Sequence, residues 1–401
     1  MFLNFVVNNK SMRYIFLILL FISCHKEDVL PIKQPEPVVS VVNAYKHKAI
    51  VDTTITEYLA TPIAGAKMIV PVVIIDVIPT DTTGVLLESV KTDLPSIDNK
   101  IVPDLDKNDV FNWTLNTNER VKFAIEEGSR FRAYNNPTAT PYVGIKVVKY
   151  FKVQTLQFVG NIPNYTALFD SIGLKKLVEV DGVKEVWFNY SLYKPNMMIP
   201  ESNMSSPYGD VSNSYMHNDD LPIYNKTYVV YGHYYKGTYA EMIHARGHQI
   251  EAQMRNIDDN FFSNKFVGKL GENTEGRCGN THFTPNSMRD YDYDNPREIQ
   301  SDIADWNPNG GTKTIVKSIV WKKEIRNPKI TINKTKSHVK WNLFIGNWVG
   351  GGDPHGAWLI YWFQSIPSDS KITFDNKSME NWWNLFYNWD NTKKNNIKLY
   401  N

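Results

Sequence analysis

Ten consecutive residues, Ile69-Val-Pro-Val-Val-Ile-Ile-Asp-Val-Ile78, are apolar but for Asp76. A strand with one face in water alternates apolar and polar side chains. An almost unbroken apolar run belongs instead to a strand covered on both faces, as in the interior of an α/β sheet. Val143-Gly-Ile-Lys-Val-Val-Lys-Tyr150, Val183-Lys-Glu-Val-Trp-Phe188 and Tyr228-Val-Val-Tyr231 are shorter strand patterns. Between and after them, helical periodicity runs over Asn118–Glu127, Tyr165–Ile172 and Thr238–Ile257. This alternation predicts an α/β fold, with a mixed or mostly parallel sheet flanked by helices. From Tyr45 to Asn401 no linker marks a cut, which points to a single large domain with insertions. The Lys-rich stretch Val316–Lys340, containing Pro328, reads as an inserted hairpin.

The N-terminus reads as an address. Lys10 and Arg13 precede a short apolar run, Tyr14–Ile22, that ends in Ser23-Cys24. A basic start, an apolar stretch of about 7–15 residues and a small residue before the cut describe a secretory signal. Phe21-Ile-Ser-Cys24 resembles a bacterial lipobox, so Cys24 is the expected lipidation site. Residues 1–23 are then the signal peptide and 24–44 a tether stiffened by Pro31, Pro35 and Pro37. His25-Lys-Glu-Asp28 resembles the surface-export signal of Bacteroidetes lipoproteins. The expected location is the outer membrane or cell surface, reached through the lipid on Cys24. A start at Met12 would give a more compact signal.

Charge narrows the partners. Lys and Arg number 44 against 42 Asp and Glu, and this balance argues against a nucleic-acid binder. There is no Walker loop, dinucleotide fingerprint or Gly-x-Ser-x-Gly elbow, so no nucleotide cofactor is expected.

The segment richest in chemistry is Tyr239-Ala-Glu-Met-Ile-His-Ala-Arg-Gly-His-Gln-Ile-Glu-Ala-Gln-Met254. On a helix, Glu241, His244, His248 and Glu251 share one face. Gly247 in mid-helix costs about 1 kcal/mol relative to Ala, a cost that makes sense where another group must come close. His248-Gln-Ile-Glu251 offers an imidazole and a carboxylate one turn apart, a usable pair of zinc ligands. His282, in Cys278-Gly-Asn-Thr-His-Phe-Thr-Pro285, is the nearest third. This set resembles the ligands of zinc carboxypeptidases in three residues and nothing more. Metal ligation by His248, Glu251 and His282 and a metal-free acid/base site stand beside each other as readings, with an ion-paired structural seam as the bland one. Glu241 is a further acid/base group, and His244 is an outer group or an alternative ligand.

Other groups could join this site. Glu201 follows the Val183–Phe188 strand by a loop, and ligands of α/β sheets gather beyond strand carboxyl ends. Paired with Glu251 it would supply the two carboxylates that glycoside hydrolysis needs. Asp290, Asp292 and Asp294 alternate like the start of a calcium loop, but Asn295 and Ser301 stand where the EF-hand has Gly and Glu. Calcium there is one expectation; Asp290 and Asp292 as further ligands at the histidine site are another. Asp302 reads as a helix cap. His355, in Gly350-Gly-Gly-Asp-Pro-His-Gly356, is expected on a flexible loop able to close over a site. Cys278 is expected to be buried rather than nucleophilic. From Trp341 onward the chain is Trp-rich, and Trp358, Trp362 and the Asn381–Trp389 segment read as core before they read as a sugar-stacking platform.

Taken together, Val183-Lys-Glu-Val-Trp187, Glu201-Ser-Asn-Met204, Gly247-His248 with Glu251, Cys278-Gly-Asn-Thr-His-Phe-Thr-Pro-Asn286 with Tyr291-Asp-Tyr293, and Ser301-Asp with Asp305-Trp306 resemble an uncharacterised family of secreted bacterial proteins. The resemblance runs from about Asn118 to Trp389 and implies no activity. Members of that family need not carry His where this chain has His244, which favours His248, Glu251 and His282. The expected function is a surface-anchored, extracytoplasmic hydrolase of a glycan or peptide polymer, metal-dependent with zinc or a glycoside hydrolase. The alternative is a non-catalytic glycan-binding lipoprotein of an outer-membrane uptake system.

Overall fold

The computed structural model describes residues 50–93, 106–213, 220–235, 237–271, 276–318, 354–368 and 371–401. The expected signal and tether with Cys24, most of the expected Val316–Lys340 hairpin, and Trp341 and Trp348 lie outside them. Residues Tyr45–Asn401 form one compact unit. Among the described residues, no helix is long and apolar enough to cross a membrane.

The centre is a six-stranded mixed sheet. Its strands are β1 (Ile50–Asp52), β2 (Met68–Val77), β3 (Val143–Val153), β4 (Glu185–Tyr190), β5 (Ser202–Ser205) and β6 (Tyr228–Tyr234), in the order β1-β3-β2-β4-β6-β5. The four inner strands β3, β2, β4 and β6 run parallel, and the edge strands β1 and β5 antiparallel. Parallel neighbours need crossovers, and helices supply them. α1 (Lys107–Gly128) connects β2 to β3; α2 (Tyr165–Ile172) and α3 (Leu174–Glu179) connect β3 to β4. β2 therefore has neighbours reached in opposite directions, the arrangement that opens a crevice at strand carboxyl ends.

Both faces of the sheet are covered, as the apolar run requires. Val73, Ile75 and Val77 of β2 pack with Leu168 and Phe169 of α2 and Leu174 and Val178 of α3. Val70, Val72 and Ile74 point the other way, into a core shared with α1, α4 (Tyr239–Phe261) and α5 (Pro354–Phe363). Asp76, the one charge in the run, is fully buried on this second face. Its carboxylate accepts from Thr114 Oγ1 at 2.5 Å, Tyr235 Oη at 2.6 Å and Tyr150 Oη at 3.1 Å. Burial nonetheless pushes its pKa up to about 6. Arg246 of α4 meets Glu185 of β4 in a fully buried pair, with Nε donating to Oε1 at 3.0 Å, and this pair fixes α4 against the sheet.

The expected strands and helices coincide with β2, β3, β4, β6, α1, α2 and α4. The helix read from Asn118 starts eleven residues earlier, at Lys107, where Asp106 and Asp109 form a reciprocal capping box. His355 belongs to the first turn of α5 rather than to a loop. Pro354 opens that helix, the position where its fixed φ and missing N–H cost nothing. The Trp residues expected in the core are there: Trp358, Trp362, Trp382, Trp383 and Trp389 are all at most 2% exposed. Asp302 occupies the N-terminal position of a short turn at Ile303–Asp305 but makes no cap bond; instead its Oδ2 accepts from Gly311 N–H at 2.9 Å.

Candidate metal centre and adjoining cleft

α4 begins at the carboxyl end of β6. Thr238 caps Ala240 N–H, and the Glu241 carboxylate accepts from Thr238 N–H in return. This capping box aims the next turns of the helix, with His244 and His248 one turn apart. Glu241, expected as an acid/base group, is engaged in that cap.

The third histidine comes from the loop that crosses α4. Gly247 is the point of contact: a Cβ there would lie 2.7 Å from Thr281 Oγ1. The glycine is what lets Thr281, and with it His282, reach the helix. Several bonds hold this loop. Glu251 Oε1 accepts from Thr281 N–H at 2.8 Å, and Asn280 Oδ1 accepts from His282 N–H at 3.0 Å and Phe283 N–H at 2.8 Å. Tyr293 Oη donates to Thr281 C=O at 2.9 Å. From α5, Trp358 Nε1 donates to Asn280 C=O at 3.0 Å and Trp362 Nε1 to Gly279 C=O at 3.3 Å. Cys278 is fully buried, as expected, and burial pushes its thiol well above the ordinary range.

The result is a cluster of imidazoles. Among the described residues, His244, His248 and His282 bring one ligand atom each within 4.8 Å of one another and could hold a metal ion. His248 Nε2 and His282 Nε2 are 3.0 Å apart. Two nitrogens bound at about 2.0–2.1 Å to one tetrahedral ion stand about 3.3 Å apart, so this spacing fits a shared metal. Asp290 Oδ1 lies 3.4 Å from His282 Nδ1. Asp290 is thus the carboxylate facing Nδ1, and a proton on that nitrogen would leave the Nε2 lone pair for a metal, as where a carboxylate orients a ligating histidine. His355 Nε2 is 2.9 Å from His244 Nδ1, and the His355 ring stacks on Tyr293 at 4.5 Å. Burial first, and neighbouring imidazoles second, pull His248 and His355 down to about 4 and His244 to about 2. These three rings are neutral at pH 7, with lone pairs ready for a metal.

The residues that converge differ from the ligand set expected. His244, which the family resemblance disfavours, is one of the three converging histidines, whereas Glu251 is not in that set. Its carboxylate is spent on Thr281 N–H and on Arg255, 3.9 Å away, and burial raises its pKa. Asp290, Asp292 and Asp294 do not converge on a calcium site. Asp290 faces His282, while Asp292 Oδ2 accepts from Asn295 Nδ2 at 2.6 Å and Met288 N–H at 3.3 Å.

At the carboxyl ends of β4 and β6 lies a cleft of about 420 Å³, which none of the three histidines lines. Tyr190, Glu201, Gly232, Tyr234, Glu241 and Met242 are among its lining residues. Glu201 is held there by its backbone, whose carbonyl accepts from Gly232 N–H at 3.1 Å. Partial desolvation raises its carboxyl above the usual range, while His282 draws it down. Glu201 therefore stands within electrostatic reach of His282, where the strand-end argument expects it.

Sequence reasoning passed over Tyr291 and Tyr293. Both sit in a quoted motif, but a search for imidazoles and carboxylates does not weigh phenols. Tyr291 Oη is 3.1 Å from His282 Nε2. His355 had a signal in Asp353-Pro354, a residue type favoured at caps followed by proline, a sequence pattern of helix starts. No known protein family, curated protein or solved structure matches this chain.

Proposed function

We propose that this protein is a metal-dependent hydrolase of an extracellular polymer, anchored to the cell surface through Cys24, with zinc held by His244, His248 and His282. The observation that carries this reading is the convergence of three buried or half-buried histidines, one ligand atom of each within 4.8 Å of the others. Zinc suits an all-imidazole donor set, and when bound it polarises a carbonyl and activates water for attack. Around it, Asp290 faces Nδ1 of His282 and Glu251 holds the loop that carries His282. In this reading Glu201, its carboxyl raised by desolvation, takes a proton from attacking water and returns it to the leaving group. The rival reading, a glycan binder with an aromatic platform, has less support: Trp382, Trp383 and Trp389, which would form the platform, are core residues.

The test is metal content followed by turnover. Chelator-treated protein, with and without restored zinc, is assayed on peptide, ester and glycan panels beside His248→Ala and Glu201→Gln. Zinc-dependent cleavage of one class, absent in both variants, supports the reading. Cleavage that is indifferent to zinc, or absent throughout, sinks it.

A further inference from the structure

Tyr291 is the residue the reading above leaves without a part. Its backbone sits at φ +60°, in the left-handed region that a bulky side chain rarely adopts. The strained residue is tied down, its N–H donating to His282 C=O at 3.1 Å. Its ring lies over two of the three histidines, 4.5 Å from His282 and 5.6 Å from His244 between centroids. The ring is thus held at the cluster by a conformation that costs free energy, the pattern expected where position serves function.

The decisive distances are around His282 Nε2. His248 Nε2 stands 3.0 Å from it and Tyr291 Oη 3.1 Å from it. A neutral His282 protonated on Nδ1, the nitrogen that faces Asp290, offers a single lone pair at Nε2. Two polar groups crowd that lone pair at nearly equal distance, and each sits about as far from it as one ligand atom sits from the next around a tetrahedral ion.

We infer that Tyr291 supplies the fourth protein ligand of the histidine centre, as a phenolate oxygen beside His244, His248 and His282. The inference rests on the proposal that these histidines hold a metal. On binding, the phenol O–H breaks, its proton passes to solvent water, and the oxygen keeps the electron pair that it donates to the ion. No redox change occurs. Tyr291 is 57% exposed, so it is the ligand that an entering substrate atom can replace.

The probe is copper(II), because a phenolate bound to it absorbs in the visible through charge transfer and imidazoles alone do not. The full chain, stripped with chelator and given one equivalent of copper(II), should bind it and show the band. Tyr291→Phe should keep the copper and lose the band, whereas Tyr208→Phe, at an exposed tyrosine with no part in the cluster, should keep both. Circular dichroism confirms that each variant is folded. Copper bound by the parent chain and lost in His248→Ala, with no band in the parent, overturns the tyrosine ligand while leaving the histidine centre standing. A band that survives in Tyr291→Phe also overturns it. Failure of the parent chain to bind copper overturns both readings.

Discussion

His248 Nε2 and His282 Nε2 lie 3.0 Å apart although 34 residues separate them in the chain. One comes from a helix face and the other from a loop pinned by Glu251, Asn280, Tyr293 and two tryptophans. So much support for one loop explains how an imidazole from a loop is kept at ligand spacing from one on a helix.

That geometry fixes a first expectation. Protein purified without added metal should carry about one zinc per chain, the stoichiometry of a single mononuclear site. His248→Ala and His282→Ala should each reduce this at least tenfold by inductively coupled plasma mass spectrometry. Glu251→Gln retains an oxygen that can accept from Thr281 N–H and should keep the metal. Equal metal loss in Glu251→Gln would return Glu251 to the ligand set.

Gly247 gives a second. Alanine would add about 1 kcal/mol of helix propensity in an open position, but here its Cβ would lie 2.7 Å from Thr281 Oγ1. Overpacking of this kind costs about 1–3 kcal/mol. Gly247→Ala should therefore lower the urea midpoint and weaken metal binding together, because Thr281 moves with His282. A stabilised variant with full metal affinity would show that the loop yields freely.

The histidines make acid stability a third observable. The folded-state values of His248 and His355, about 4, and of His244, about 2, lie below the ordinary 6.5. Below pH 6.5 the unfolded chain takes up protons that the folded chain refuses, so this contribution is full above pH 6.5 and is lost as the pH falls. Urea midpoints of chelated protein should decline between pH 6.5 and 4, and the decline should be shallower in His244→Asn. Parallel declines in the two proteins would refute the assignment.

Asp76 has the opposite sign. Its folded value, raised from 3.8 to about 6, means that the folded chain holds a proton over a range where the unfolded chain has released it. Stability from this group therefore falls as the pH rises from 4 to 6, by about 3 kcal/mol at 1.36 kcal/mol per unit. Asp76→Asn, which cannot ionise, should gain on the parent protein by about that amount between pH 4 and pH 7 in denaturant titrations. A difference that stays flat with pH would show that Thr114, Tyr150 and Tyr235 fully offset the burial of the charge.

The sequence by itself determined the layered fold. A run such as Ile69–Ile78 can escape water only with a helix layer on each face, and one such strand among helical periods is enough to specify an α/β sheet. It also singled out the helix that bears His244 and His248 and gave a reason to expect a close approach at Gly247, because a glycine's cost in a helix is a local matter. What it could not determine was which side chains share a point. Spacing along α4 made His248 and Glu251 look like partners, since residues one turn apart share a face. Only the tertiary structure decided that Glu251 turns to the Thr281 amide, that His244 joins the histidines instead, and that Tyr291 and His355 arrive from a loop and from α5. Ligand geometry depends on distances of about an ångström between segments far apart in the chain. Those distances are set by loop anchoring and core packing, and they leave no periodic trace in the order of residues.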